Sequence, residues 1–486
     1  MKLRRSVIRL LGYSVIGLLT IPLLWNLFRP GFYSSHDGEW MVIRLTAFHE
    51  SFRVGQIPVR WMSRLNHEYG YPVTNFLYPL PFYLAEPFYV LTGDPVTAVK
   101  IIMGLSVISM AIGSFLLFRR WGMIAGITGA LTYIYSPYVA YNLYARGSLG
   151  ELTALGIIPW IFWALSSKRF ILSSILIAGL ITAHNVVALL FFPLIVFYST
   201  YKLIVKQYLF TAYCLLFTLT LALSAFFWLP ALAEYRFVRA SQIAVADFGN
   251  EYLSLQNAFQ RTGLVSVLTN LGLPLFFLTE NSKWFWDLLK PFQIIQFPWR
   301  LLSLFAFSSA VIVSFIFNRL SQLKPFYLSI CLPRSHALRL RGCKPRIVVS
   351  VLLGLFVYLS IIFISVFPFL SPKSFFENYP SYYQTNDDST TVRSEYTPVW
   401  VKDSPLNRSE TPVKHYYPGL KLFVNGIEQP VNSKSDNGEL RPFDSADNNR
   451  VEFIWSETPL RLAADLVSVA GLLIALFLFK RQQYKY

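Results

Sequence analysis

The sequence predicts an all-α polytopic membrane bundle of about ten spans, with interfacial external helices and a small external β-sandwich-like domain near the C-terminus. Three observations predict it. Hydrophobic residues make up 54% of the 486-residue chain and charged residues 14%, where a soluble protein carries about 25% charged. Runs such as Leu10–Phe28, Ile101–Phe118 and Ile347–Leu370 contain no charge at all and are long enough, as helices, to cross a ~30 Å hydrocarbon layer. Basic residues gather in short clusters directly beside such runs.

Those clusters account for the net charge of +17. They are Lys2, Arg4, Arg5 and Arg9; Arg119 and Arg120; Lys168 and Arg169; Lys202 and Lys206; a group from Arg319 to Arg346; and Lys480, Arg481 and Lys485. This is how cytoplasmic loops are written under the positive-inside rule. A nucleic-acid partner would require a basic face with exposed stacking aromatics on a soluble domain, so none is expected. The N-terminal apolar run is longer than a signal-peptide core and no small-residue cleavage site follows it, which predicts an uncleaved first span. Cys214, Cys331 and Cys343 fall in a span and in the basic loop, so no disulfide framework is expected outside.

Alternation then orders the spans. Residues 8–28 lead out, 97–118 return, 122–137 lead out and 152–167 return. The run from Phe170 to Tyr201 is too long for one span at 1.5 Å per residue, and its basic ends predict a hairpin with His184-Asn185 at the external turn. Residues 208–232 lead out, 297–318 return, 347–369 lead out and 462–480 return. The external loops are 29–96, 137–151 and 233–296, and the cytoplasmic loop is 319–346. Two further apolar stretches, 77–92 and 262–279, would invert the basic loops if they crossed, so they are expected to lie on the membrane surface or dip into it. The division is a transmembrane domain over 1–370, an external β-rich domain over 371–461, and a last span with a basic cytoplasmic tail over 462–486. Both termini are expected in the cytoplasm of a multi-pass plasma-membrane protein.

The external domain starts loop-like over 375–412. Strand signals follow. Leu420, Leu422 and Val424 alternate with Lys421 and Phe423, and Asn425-Gly426 tolerates the positive φ of a tight hairpin turn. Asn437-Gly438 repeats the turn signal, and Val451, Phe453 and Trp455 alternate with Arg450, Glu452 and Ile454.

Phosphate-cradling Gly-rich loops, Cys-x-x-Cys pairs and His-Glu-x-x-His motifs are missing. Chemistry, if any, falls to polar residues at the outer face. The densest group is "SSHDGEW", residues 34–40. From Met41 onward, Met41, Leu45, Phe48 and Phe52 keep helical spacing with Arg44, Glu50 and Arg53 largely opposite. That predicts an amphipathic helix in the interface, ended by Gly55 and Pro58. Asp37 suits the N-cap of that helix. Capping leaves His36 and Glu39 unexplained.

The order and spacing of "HDGEW", "GQIPVRW", "YARGSLGE", "QFPWR" and "HYYPGLKLFVNG" resemble the bacterial and archaeal membrane proteins labelled 6-pyruvoyl-tetrahydropterin-synthase-related. More broadly, the long first span, the external acidic motif and the aromatic-proline stretch "NFLYPLPFYLAEPFYVLTG" resemble the C-type glycosyltransferase (GT-C) superfamily. That resemblance implies an integral-membrane glycosyltransferase on the non-cytoplasmic face. It would move a sugar from a polyprenyl-phosphate-linked donor to a glycan, lipid or protein acceptor.

On that resemblance, Asp37 matches the acidic residue of the first external loop, as general base or metal ligand. Glu39, His36 and Glu151 are secondary catalytic candidates. Arg146 and Arg300, at outer ends of spans, would hold the donor phosphate, since arginine offers it a bidentate fork; His184 joins them as a polar group in an apolar run. Each has a plainer alternative. Arginines at span ends often only anchor the interface, Glu151 can cap its helix or pair with Arg146, and a histidine at a turn can simply meet water. Mg²⁺ or Mn²⁺ would suit Asp37 and Glu151 as hard oxygen ligands, though two carboxylates do not establish a metal. The rival classes are a non-enzymatic lipid or glycan transporter and a membrane scaffold. Transporters tend to place ionisable groups near mid-bilayer within inverted repeats, which this pattern lacks.

Overall fold

Helices follow the apolar runs, and the longer polar segments between them build one layer external to the helical bundle. The computed structural model describes residue 14 and residues 17–243, 248–322, 345–376, 380–403, 405–430, 438–442 and 450–483. The start of the first predicted span (8–13, 15 and 16), most of the 319–346 loop, Asn437 of the second turn signal and the end of the basic tail lie outside the described residues.

The first external segment forms α1 (Gly38–Arg53) and α2 (Leu80–Thr92). The membrane bundle continues with α3 (Pro95–Phe118), α4 (Met123–Ile134), α5 (Leu149–Ser166), α6 (Phe170–Ala183), α7 (Asn185–Ile204), α8 (Phe210–Leu223) and α9 (Ala225–Glu234). It closes with α10 (Leu302–Gln322), α11 (Pro345–Leu370) and α12 (Pro459–Gln483). Among the described residues, five helices are long and apolar enough to cross a membrane, or up to six when a bent pair counts as one span. That pair is α8 and α9, which meet at 66°. Helices α4, α6 and the described apolar part of α11 are shorter. The predicted hairpin breaks at His184, where the backbone turns extended between α6 and α7. The stretch 77–92 yields the 13-residue α2, about 20 Å long. The stretch 262–279 breaks into Leu264–Thr269 and Leu273–Phe277. Neither α2 nor these two short helices is among the helices long enough to cross.

The charge pattern of α1 assigns one of its faces to water, and the structure leaves Glu50 and Arg53 exposed there but covers the half of the helix that carries Arg44. Every residue from Met41 to Phe48 is buried, Arg44 included. The segment following α11 lies over this side: Arg44 Nε donates to Thr390 Oγ1 at 2.9 Å, and Thr46 Oγ1 donates to the Tyr383 carbonyl at 2.7 Å. A helix with a polar stripe can be buried all round when that stripe is met by another chain segment, which helical periodicity alone does not report.

The external strands begin with a short ladder, β1 (Phe32–Tyr33) against β2 (Phe375–Phe376), which joins the first external loop to the end of α11. Then come β3 (Lys414–His415), β4 (Leu420–Val424), β5 (Ile427–Glu428), β6 (Glu439–Leu440) and β7 (Val451–Trp455). The β4–β5 hairpin turns through Asn425 and Gly426 at φ 51° and 80°, the double positive φ of a type I′ turn. β4 pairs antiparallel with β7, setting Leu420 opposite Trp455 and Leu422 opposite Phe453. Among the described residues the sheets are small, β5-β4-β7 and β3-β6, and the layer facing them is not a second large sheet. It is the membrane domain's own external surface, where Trp61, Phe76, Val238 and Ala240 share a core with Tyr417, Leu420 and Leu440. Trp61 stacks on Trp455 with ring centroids 5.6 Å apart. The expected sandwich therefore borrows its second layer.

Buried charge joins the two parts. Glu234 Oε2 at the end of α9 accepts from Arg461 Nη2 at 2.7 Å, Asn75 Nδ2 at 2.9 Å and Tyr417 Oη at 3.1 Å. Arg60 reaches Asp465 at 2.6 Å and Glu457 at 3.2 Å. Removing one partner of such a pair strands the other charge. Arg461→Leu is therefore expected to cost roughly 3–5 kcal/mol, read as a lowered thermal midpoint in detergent by tryptophan fluorescence. The double variant Arg461→Leu/Glu234→Gln should recover most of the loss. Equal midpoints for wild type and Arg461→Leu would contradict this account of the junction.

Candidate active site

The site is built where two loops cross. The His36 N–H donates to the Ala145 carbonyl at 3.0 Å, and the Asp37 N–H donates to the Arg146 carbonyl at 2.7 Å. Two glycines make the crossing close. Gly147 has φ +67°, and a Cβ there would lie 2.6 Å from Gly38 Cα. Both motifs, "HDGEW" and "YARGSLGE", thus carry a glycine for steric reasons: the backbones must touch so that Asp37 and Arg146 can meet.

Asp37 takes the N-cap position of α1, but its carboxylate makes no cap bond. Ser35 Oγ accepts from the Gly38 N–H instead, at 3.1 Å. The expected capping role of the side chain is thereby corrected: Asp37 Oδ2 turns to Arg146 Nη2 at 3.3 Å, because a full cation outcompetes a backbone N–H for it. Its side chain remains 40% exposed.

Arg146 ends a widened π turn, Tyr141–Arg146, a feature that recurs at functional sites. Its Nη1 donates to Asn142 Oδ1 at 2.8 Å and to Glu151 Oε2 at 2.5 Å. Its guanidinium carbon stands 4.6 Å from the Trp299 ring centroid. Although burial works against its charge, Glu151 and Asp37 hold the guanidinium above its ordinary pKa. Glu151 is fully buried, and its other oxygen accepts from Tyr138 Oη. A metal shared by Asp37 and Glu151 does not fit this donor set. Both Glu151 oxygens are taken, and a cation already stands between the acids. Among the described residues, the metal-ligating side chains that do come together are His67, Asp387 and Asp388, within 4.8 Å of one another; Arg408 also pairs with Asp387 at 2.5 Å.

A cavity of about 650 Å³ opens against this crossing, lined in part by His36, Asp37, Arg146, His184 and Arg300. Of the residues expected from sequence, these five share its wall. Glu39 and Glu151 are not on it: Glu39 accepts from Tyr383 Oη at 3.2 Å, and Glu151 supports Arg146 from behind. His184 is buried and stacks on Tyr78 at 5.0 Å. Its Nδ1 accepts from the Val187 N–H at 3.2 Å, which leaves Nε2 as the N–H donor. Burial pushes its pKa down to about 3, so the imidazole is neutral.

Arg300 is the distinctive member. It is 8% exposed, and its Nη1 donates to the Ile295 carbonyl at 3.0 Å and to Gln296 Oε1 at 2.7 Å. Nε has no hydrogen-bond partner, and no carboxylate lies within ion-pair distance among the described residues. It shares the Trp299 ring with Arg146, its guanidinium carbon 5.9 Å from the centroid.

Residue-by-residue reading misses the rest of the lining. Arg44, Tyr78 and a segment from Asp388 to Tyr396 line the same cavity. Arg44 is recognisable only as a charge on a helix face, and the segment falls in a stretch that reads as loop. No local pattern could have brought either to Asp37.

The fold and site together define a polytopic membrane protein with a charged cavity roofed by its own external layer. More narrowly, residues 74–254 match the family model described as 6-pyruvoyl-tetrahydropterin synthase related domain, membrane protein, the family that the motifs resemble. Among curated proteins no sequence matches. Two solved structures of Archaeoglobus fulgidus oligosaccharyltransferase are similar to this chain. One is the archaeal enzyme AglB in complex with an inhibitory peptide and a dolichol-phosphate, with 14% identity, a TM-score of 0.44, and 85% of this chain and 62% of that one covered. The other is tethered with an acceptor peptide containing the NVT sequon via a disulfide bond, at 14% identity, a TM-score of 0.43, and coverage of 84% and 60%. The chain therefore spans only part of the length of either.

The glycine crossing is open to direct test. Gly147→Ala places a Cβ against Gly38 in a left-handed backbone, and is expected to cost roughly 1–3 kcal/mol. Differential scanning of the purified protein should show the lowered midpoint, and Gly147→Ala as stable as wild type would refute the close packing of these loops.

Proposed function

We propose that the protein is an integral-membrane glycosyltransferase of the C type. It moves a sugar from a polyprenyl-phosphate-linked donor to a glycan, lipid or protein acceptor at the non-cytoplasmic face of the plasma membrane. The observation that carries this reading is Arg300: a buried guanidinium without a carboxylate partner, on the wall that also holds Asp37. A buried cation left uncompensated is costly, and a phosphate arriving in the cavity would remove that cost with charge-assisted bonds.

The chemistry assigns each group a part. The acceptor hydroxyl attacks the anomeric carbon as its proton passes to Asp37, whose Oδ2 is held by Arg146. The bond from that carbon to the phosphate oxygen breaks, and the electron pair leaves with the lipid phosphate. Arg300 stabilises the charge that develops there, while neutral His184 can add an N–H from Nε2. Direct displacement of this kind inverts the anomeric centre. Glu151 touches no reacting atom and acts by holding Arg146 in place.

A non-enzymatic transporter or scaffold would bind the lipid without turnover, so the test must separate binding from transfer. Purified protein supplied with radiolabelled polyprenyl-phosphate sugars should release or transfer label. Asp37→Asn should lower that rate ~10²–10⁴-fold while leaving folding and lipid-phosphate binding intact. Arg300→Gln should instead weaken binding of farnesyl phosphate by roughly 10-fold or more, the loss of one charge-assisted contact. Unchanged transfer in Asp37→Asn would eliminate Asp37 as the base, and lipid-phosphate binding without any turnover in wild type would favour the transporter.

A further inference from the structure

The cavity has two walls of different chemistry. The inner wall carries the cations Arg146 and Arg300 together with Asp37. The outer wall is the segment 388–395, whose cavity-lining side chains are hydroxyls and carboxyls: Asp388, Ser389, Thr390, Thr391, Ser394 and Glu395. Tyr78 lines the cavity as well, its phenol within electrostatic reach of Arg44, Asp37, Arg146 and Arg300.

The outer wall is held in place from both sides. Arg44, two turns along α1 from Asp37, donates from Nε to Thr390 Oγ1 at 2.9 Å and also binds the Thr390 carbonyl. Tyr71 Oη lies 2.7 Å from Thr391 Oγ1 and accepts from the Tyr396 N–H at 2.8 Å. On the far side, the Ala240 N–H donates to the Glu395 carbonyl at 2.7 Å, and the Arg239 N–H donates to the Thr397 carbonyl at 2.9 Å. One helix thus carries Asp37 at its start and fixes the opposite wall further along.

Within that wall Glu395 is unlike the other buried acids. Glu151, Glu234, Glu86 and Glu439 each pair with a cationic or titratable side chain. Glu395 is 7% exposed, lines the cavity, and has an oxygen, Oε2, with no hydrogen-bond partner; it enters no ion pair among the described residues. Burial, opposed by its own backbone N–H, by Arg44 and by the Thr391 hydroxyl, pushes its carboxyl above the usual range. A buried polar group left unsatisfied is destabilising, and such groups ordinarily find a partner. The partner that suits a carboxyl amid hydroxyls, in a cavity whose cations would take a phosphate, is the hydroxyl of a sugar attached to that phosphate.

Resting on the transferase reading above, we infer that Glu395 is a specificity-determining residue: it hydrogen-bonds a hydroxyl of the donor's sugar and selects which sugar is transferred. Sites that hydrogen-bond a substrate hydroxyl discriminate strongly against analogues that lack or misplace it, because a polar group is then left unpaired.

The test uses the full-length protein in detergent and farnesyl-phosphate donors carrying mannose, glucose, galactose or arabinose. Farnesyl phosphate without sugar probes the cationic wall alone. Glu395→Gln preserves shape and is expected to keep the thermal midpoint and the farnesyl-phosphate Kd. It should shrink the kcat/KM preference for the best sugar over its nearest epimer at least 10-fold, chiefly through KM. If Glu395→Gln does not yield folded protein, Glu395→Asp, which withdraws the acid by one methylene, should shift the same preference. A wild type that discriminates among the sugars and a folded variant that discriminates equally would overturn the inference while leaving the transferase reading standing. So would a farnesyl-phosphate Kd that changes in step with the preference, since that marks a structural role. A wild type that turns over none of the donors would overturn both.

Discussion

The guanidinium of Arg146 is the contact on which the rest of the site depends. It stands between a carboxylate that is fully buried, Glu151, and one that reaches the cavity, Asp37. Neither Arg146 nor Glu151 is tolerable alone at that depth, since an unpaired buried charge costs several kcal/mol. Together they fix the turn between α4 and α5 against the start of α1. The close approach of Gly38 and Gly147 serves that pairing, and so does the release of the N-cap to Ser35. Asp37 is therefore held by a side chain rather than by its own helix, which orients one oxygen and leaves the other towards the cavity.

With Arg146 committed to two acids, two buried guanidinium groups of the cavity enter no ion pair among the described residues: Arg44, which is spent on Thr390, and Arg300, whose Nε has no hydrogen-bond partner. That asymmetry gives the site a direction: anion towards Arg300, exchangeable proton towards Asp37. The external layer completes it. The segment after α11 is held to α1 by Arg44, and the small sheets behind it rest on Trp61 and on the Glu234–Arg461 pair. The layer therefore acts as a fixed wall of the cavity, and the buried charges at its base are part of what positions that wall.

Sequence alone reaches the features that are local. Charge-free runs mark the helices, His184 marks the break between α6 and α7, and Asn425-Gly426 marks a hairpin with two positive φ values. It also brings Asp37, Arg146 and Arg300 forward as candidates, through a resemblance whose motifs sit at loop crossings. The long-range contacts are what it does not reach. Helical spacing places Arg44 on a water-facing stripe, whereas the chain more than three hundred residues later covers it. N-cap preference assigns the Asp37 carboxylate to its own helix, whereas Arg146 takes it. Alternation in β4 and β7 identifies an apolar face but not what it packs on, and a second sheet was the natural expectation where the membrane domain in fact serves. Glu395 sits in a stretch with no periodicity, so its burial has no local signal.

The central claim is that this cavity receives a lipid phosphate at Arg300 with the reacting sugar carbon beside Asp37. The most direct measurement is a cryo-electron-microscopy map of the protein in nanodiscs with a bound polyprenyl phosphate. The account predicts phosphate density within hydrogen-bonding distance of the Arg300 guanidinium, on the side of the cavity that holds Asp37. Phosphate density elsewhere, with the Arg300 cavity holding no lipid, would contradict it.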